Sequence, residues 1–179
     1  MTESPAHSAT RPAEARANGT SIIETSLERP SVYLHAGQVF ASPDPCSVTT
    51  ILGSCVAVCL WDPEARLGGM NHFLLPEGVP ASPRFGQSAV PLLIQAALDL
   101  GARRTRLRAK LFGGACVLEA FRAGSHHLGS RNVEVAREAL RAAEIPVFVE
   151  DVGGDQGRKV VFDVQTGSAW VRAIDARSG

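Results

Sequence analysis

Ser47-Val48-Thr49-Thr50-Ile51-Leu52-Gly53-Ser54-Cys55-Val56-Ala57-Val58-Cys59-Leu60-Trp61-Asp62-Pro63, followed by Leu67 to Leu75, is the stretch whose reading decides the fold. Ser47 to Leu52 is rich in Val, Thr and Ile, whose Cβ branching favours extended backbone. Gly53-Ser54 reads as a tight turn, Cys55 to Trp61 as a second strand, and Asp62-Pro63 as its end. Leu67 to Leu75 makes a third strand. Links this short predict adjacent strands with antiparallel pairing.

Upstream, Val32-Tyr33-Leu34 is a short strand candidate and Ala41 to Pro45 a loop. Downstream, residues 76–87 are rich in Pro and Gly and read as loop. A helix is expected from Ser88 to Leu100, with Pro91 in its first turn, where a missing N–H costs nothing. Its expected buried stripe is Leu92, Leu93, Ala96, Ala97 and Leu100, and Gly101 follows as the residue past its end. Leu107 to Phe112 is a strand ended by Gly113-Gly114. Residues 115–130 are ambiguous, with Gly124 to Ser130 read as loop. A second helix spans Asn132 to Ala143, with Val133, Ala136, Ala139 and Leu140 buried. Ile145 to Val152 is a strand, and Arg158 to Val164 with Ala169 to Ile174 form a hairpin across Gln165 to Ser168. Strands outnumber helices, and the helices cover one side of mixed or antiparallel sheets. The fold class is therefore an α+β layered domain.

The chain has 179 residues, 45% of them hydrophobic, which suits one domain with a proper core. Residues 1–28 lack periodicity and read as a disordered tail, 29–175 as a single domain and 176–179 as a short tail. The formal net charge is zero, from 18 basic and 18 acidic side chains, so nothing draws the chain to nucleic acid. Arg103, Arg104, Arg106 and Arg108 read as a solvated helix end and strand start. No apolar run approaches the roughly 20 residues of a membrane helix, and no secretory signal is visible. The four cysteines, Cys46, Cys55, Cys59 and Cys116, read as reduced thiols of a cytoplasmic protein.

Cys55 is the sharpest candidate for chemistry. It follows a Gly-Ser turn and opens an apolar strand, which leaves its thiol at the end of a sheet. Backbone N–H groups from Gly53 to Cys55 are candidate donors to a thiolate or an oxyanion, and Gly113-Gly114 lies in another candidate loop. His72, on the next strand, could take the thiol proton. The competing readings are structural: a strand cysteine is commonly a small core hydrophobe, and Cys59 is read as one. A metal site from the four cysteines with His126 and His127 lacks the compact pairs of structural zinc, so neither metal nor cofactor is expected. No phosphate-binding loop follows Gly113-Gly114.

These residues resemble a family, the chemoreceptor glutamine deamidases (CheD). The resemblance is carried by Leu52 to Leu60, Gly68 to Pro76, Arg84-Phe85-Gly86, Gly101 to Arg104, Ala109 to Ala115, Gly129 to Val133, Glu150 to Gly154 and Gly157 to Val160, in order. It implies an α/β/β layered sandwich and a thiol hydrolase that converts receptor glutamine to glutamate with release of ammonia. It puts the nucleophile at Cys55, the base at His72 and the third member at Thr49, with Thr50 adjacent. Arg84 and Phe85 fall in a candidate substrate loop, where the family often has tyrosine in place of Phe85. The implied partners are the cytoplasmic helices of chemotaxis receptors and, for some members, a CheC-like phosphatase, with the protein located at receptor arrays and not inserted in the membrane. The rival readings are a non-catalytic chemotaxis regulator on the same fold, a receptor glutamyl methylesterase and a small-molecule amidase.

Overall fold

A computed structural model describes residues 29–117 and 127–174. The two tails expected from composition, His126, and much of the ambiguous 115–130 segment lie outside the described residues. The strands are β1 (Ser31–Tyr33), β2 (Gln38–Ser42), β3 (Ser47–Leu52), β4 (Val56–Asp62), β5 (Leu67–His72), β6 (Arg108–Gly113), β7 (Val147–Val152), β8 (Gly157–Asp163) and β9 (Ala169–Ile174). The helices are α1 (Gly86–Asp99) and α2 (Leu128–Ala142), with a short 3₁₀ turn at Arg104–Arg106. The strands form two mixed sheets, one in the order β1-β3-β8-β9 and one in the order β2-β5-β4-β6-β7.

The helices cover one face of the five-stranded sheet, and the four-stranded sheet covers the other. Strand β4 is central and shows why. Val56, Val58 and Leu60 face the helix layer with Leu93, Ala97, Ala136 and Leu140. Ala57 and Cys59 face the second sheet with Val48, Leu52, Met70, Phe112 and Phe162. A strand buried on both faces has no polar side, so its sequence is a continuous apolar run. The α+β sandwich expected from the strand-rich sequence is therefore found, with its core in two slabs.

One local expectation fails in an instructive way. Strands β3 and β4, joined by the Gly53-Ser54 bend, do not pair. β3 pairs antiparallel with β8 and parallel with β1, whereas β4 pairs with β5 and β6. The bend carries the chain from one sheet to the other. Both strands bury alternate residues in the slab between the sheets, which a flat hairpin could not do. β2, in a stretch partly read as loop, pairs along β5.

The helices are also shifted. α1 begins at Gly86, so Pro91 lies in its second turn and not its first. Its buried face is Ala89, Val90, Leu93, Ile94 and Ala97, while Leu92 and Leu100 are exposed. Gly101 lies past its end at φ +102° as expected, and the N–H groups of Gly101 and Ala102 cap the carbonyls of Leu98 and Ala97. α2 begins four residues before the expected Asn132, because His127 serves as its cap: Nδ1 accepts from the Ser130 N–H at 3.2 Å.

Candidate active site

Cys55 sits at the crossing between sheets, directly before β4. It is the one cysteine of the four that is not buried, and none of them is in a disulfide. Cys59, two positions further along the same face, is sealed in the core, where burial pushes its thiol far up. Cys46 is also buried with its pKa raised, chiefly by burial. Only Cys55 combines a place at the sheet end with access to solvent.

His72 ends β5. The register runs from Cys59 opposite Met70 to a bridge between Val56 and Phe73. That count sets Ala57 opposite His72 and places Cys55 diagonally beside it on the same face. Diagonal neighbours across a sheet have their Cα atoms about 7–8 Å apart, within reach of a thiol and an imidazole. The imidazole is buried, and Nε2 has no hydrogen-bond partner among the described residues. Thiol and imidazole are thus not bonded to each other at rest; such contacts often close only when substrate arrives.

The other ring nitrogen is held. Nδ1 lies 2.8 Å from the Thr50 hydroxyl, whose oxygen is also 2.8 Å from the Leu34 carbonyl. The carbonyl can only accept, so the hydroxyl donates to it. The hydroxyl oxygen must then accept from Nδ1–H, and Nε2 carries the lone pair. The fold therefore selects the tautomer whose basic nitrogen is unengaged. This corrects the residue expected at the third position. Successive strand residues face opposite ways: Thr49 lies on the outer face of its sheet, opposite Val161, while fully buried Thr50 points inward at His72.

Burial acts on both groups in the direction of neutrality. It raises the Cys55 thiol, an effect only partly offset by the residue's own backbone N–H. It lowers the His72 imidazole, helped by the nearby charge of His35 and opposed by a backbone hydrogen bond at Leu34. The resting pair is thiol and neutral imidazole.

The backbone around the thiol is pinned at several points. Gly114 N–H donates to the Cys55 carbonyl and Ala115 N–H to the Gly53 carbonyl, each at 2.8 Å. Gly153 N–H holds the Gly113 carbonyl at 2.8 Å, and Arg158 clamps the 151–153 turn through the Asp151 and Gly153 carbonyls. The Gly114 amide, a candidate oxyanion donor in the sequence, is thus committed to the Cys55 carbonyl; Gly113 and Gly114 buttress Cys55. Gly53 and Ser54 form the bend itself. Asn132, fully buried on α2, donates through Nδ2 to the Ser54 and Leu74 carbonyls at 2.9 Å each. Asn71 inserts its side chain beside the ladder and accepts the Val58 N–H at 2.8 Å. The Arg84 carbonyl takes the N–H groups of Leu74 and Leu75, while the Phe85 ring lies against Gly78. Those two residues fold the loop after His72 back along the strand end.

Asn71 and Asn132 have no site role in the sequence reading, and Thr50 enters it only as the neighbour of Thr49. The available signal was a polar residue at a position whose parity or helical spacing makes it inward-facing. Among the described residues no three His, Cys, Asp or Glu side chains form a group able to hold a metal, and no helix is long and apolar enough to cross a membrane.

Comparison with known proteins bears on this arrangement. Residues 74–173 match the family model described as CheD chemotactic sensory transduction. A protein of Anaeromyxobacter dehalogenans (strain 2CP-C), named "Probable chemoreceptor glutamine deamidase CheD 1", is 55% identical over 148 residues, covering 82% of this chain and 86% of its own. Proteins of Stenotrophomonas maltophilia (strain K279a) and Xanthomonas axonopodis pv. citri (strain 306), named "Probable chemoreceptor glutamine deamidase CheD", are 46% and 47% identical over 140 residues, covering 76% of this chain and 70% of theirs. Matched by that family model over more than half its length and by relatives this similar along most of it, the chain belongs to the CheD family.

Proposed function

We propose that this protein hydrolyses the side-chain carboxamide of glutamine on chemotaxis receptors, releasing ammonia and leaving glutamate. One observation carries the reading: a partly exposed cysteine and a histidine of fixed tautomer share one sheet face, in a member of this family.

Nε2 of His72 takes the Cys55 thiol proton as sulfur attacks the carboxamide carbon. The carbonyl π pair moves onto oxygen, where the Cys55 N–H and the amides of the Gly53-Ser54 bend are the nearest candidate donors. As the tetrahedral adduct collapses, the C–N bond breaks and His72 gives its proton to the leaving nitrogen. Ammonia departs and a thioester remains. Water, deprotonated by His72, attacks the thioester; the C–S bond breaks, the thiol recovers its proton and glutamate is freed. Thr50 holds the imidazole so that Nε2 faces these transfers and stabilises the imidazolium formed between them, in the orienting role that an acid plays in other triads. The reaction needs no electron carrier.

The test is mass spectrometry of a receptor cytoplasmic fragment incubated with the protein, read for glutamine converted to glutamate, with ammonia measured in parallel. Conversion by wild type and none by Cys55→Ala is expected. No conversion of any receptor by folded wild-type protein rejects the reading, and methanol released from a methylated receptor in place of ammonia favours the esterase. A CheC-like phosphatase as a second partner is tested by titration calorimetry with such a phosphatase; absence of binding rejects it.

A further inference from the structure

The Asn132 side chain hydrogen-bonds to the backbone on both sides of the thiol–imidazole pair. Its Nδ2 donates to the carbonyl of Ser54, which precedes the nucleophile, and to the carbonyl of Leu74, which lies opposite Cys55 in the register. Both partners are acceptors, so the amide can face them only with its nitrogen. Its Oδ1 is buried with no partner among the described residues. A buried amide that leaves one atom unsatisfied carries a desolvation cost, which an apolar residue at this place in α2 would avoid.

What the bond fixes is a peptide plane. The Ser54–Cys55 peptide is trans, so its C=O and N–H point in opposite directions. Holding the Ser54 carbonyl towards α2 aims the Cys55 N–H away from the helix layer. That N–H donates to no carbonyl among the described residues. It lies by the residue's own sulfur, where it favours the thiolate. On the other side of Cys55, Gly114 N–H holds its carbonyl. The Cys55–Val56 peptide plane is thus fixed by two backbone bonds, from Gly114 N–H to its carbonyl and from its Val56 N–H to the Phe73 carbonyl, whereas the Ser54–Cys55 plane is held by Asn132.

We propose that Asn132 is a positioning residue for the hydrolysis: by gripping the Ser54 and Leu74 carbonyls it keeps the Cys55 N–H turned to the thiol, as donor to the thiolate and then to the oxyanion. The inference rests on the deamidase reading for its second half only, because thiolate stabilisation can be read without substrate.

The experiment compares wild type, Asn132→Ala, the isosteric Asn132→Asp, and Val133→Ala, which removes buried volume from the next residue of α2 without touching either carbonyl. Steady-state deamidation of a receptor fragment and the pH dependence of Cys55 alkylation by iodoacetamide are measured at a temperature where every variant is folded. Loss of one oxyanion donor predicts a kcat about 100-fold lower for Asn132→Ala with KM within about threefold of wild type. The alkylation midpoint moves to higher pH. Val133→Ala lowers the melting temperature but leaves kcat and the alkylation midpoint in place. Asn132→Asp, whose carboxylate faces two carbonyls, loses at least as much at pH 8. Its deficit relative to wild type shrinks as the acid protonates and regains a donor. An Asn132 variant that is folded and keeps both kcat and midpoint overturns the proposal, and should Asn132→Ala not fold, the isosteric variant decides it. A wild type inactive on receptors with a shifted midpoint in the variants refutes the deamidase reading and leaves the peptide-plane role standing.

Discussion

At the residue scale, the difference between two adjacent threonines is decisive. The Thr50 hydroxyl has a donor on one side and an acceptor on the other, both buried. Thr50→Val keeps the shape and removes both hydroxyl bonds, to the Leu34 carbonyl and from the His72 Nδ1–H. The expected cost is about 2–3 kcal/mol in a urea melt, together with a fall in kcat from loss of the tautomer lock. Thr49→Val, on the outer sheet face, should stay within about 0.5 kcal/mol and keep its turnover. Equal turnover in the two variants would remove Thr50 from the mechanism. The pH dependence has a defined sign. His72 is depressed in the folded state, so the unfolded chain binds the proton first, below its ordinary value of about 6.5. The stability it contributes is complete above that pH and declines as pH falls through the window beneath it. Urea midpoints should therefore drop between pH 7.5 and 5.5 in wild type and drop less in His72→Gln, before carboxylates such as Asp62 and Glu150, held below their usual range, titrate at lower pH. Cys55 is displaced the other way, so alkylation should reach half its limiting rate above the ordinary cysteine value of about 8.5.

At the scale of the element, strand ends and turns do the positioning. Gly113 adopts φ +105°, and a Cβ there would lie 2.2 Å from the Cys55 carbonyl oxygen. Gly101 adopts φ +102° with nothing within 4 Å of the same added atom. The two share a backbone strain and differ in surroundings. Gly101→Ala should cost about 1–2 kcal/mol, the strain alone. Gly113→Ala should cost about 1–3 kcal/mol more, because backbone must move, and should also lower turnover because what moves is Cys55, the proposed nucleophile. Paired urea melts and ammonia assays test this, and equal costs would mean that β4 yields there easily. Helix placement shows what pattern alone resolves. The apolar residues of α1 fit more than one face at a period of 3.6, and contact with β5 and β2 selected Ala89, Val90, Leu93, Ile94 and Ala97. The start of α2 turned on a histidine cap, a residue type that gives little warning in sequence.

At the scale of the whole molecule, the candidate site straddles the slab between two sheets. Thr50 comes from the four-stranded sheet, His72 from the five-stranded sheet, and Cys55 from the link between them. Turnover should therefore be more sensitive to packing between the sheets than to packing under the helices. Phe162→Ala and Leu140→Ala remove fully buried side chains from the two slabs, and each should cost about 2–5 kcal/mol. Compared at a temperature where both are folded, Phe162→Ala should lose more of its kcat. The reverse order would show that the helix layer controls the site.

The local chemistry of the chain by itself determined most of the strands, the bend before Cys55, the end of α1 at Gly101 and the α+β class, because Cβ branching, glycine and apolar runs act over a few residues. The ordered motifs from Leu52 to Val160 carried the resemblance that puts the proposed nucleophile at Cys55 and the proposed base at His72. Only the tertiary structure decided that β3 and β4 belong to different sheets, that Thr50 and not Thr49 meets His72, that Gly114 spends its amide on the chain, and that Asn132 grips the Ser54 carbonyl. Each depends on which face an element turns to a partner distant in sequence, and that is settled by the burial of two core slabs at once.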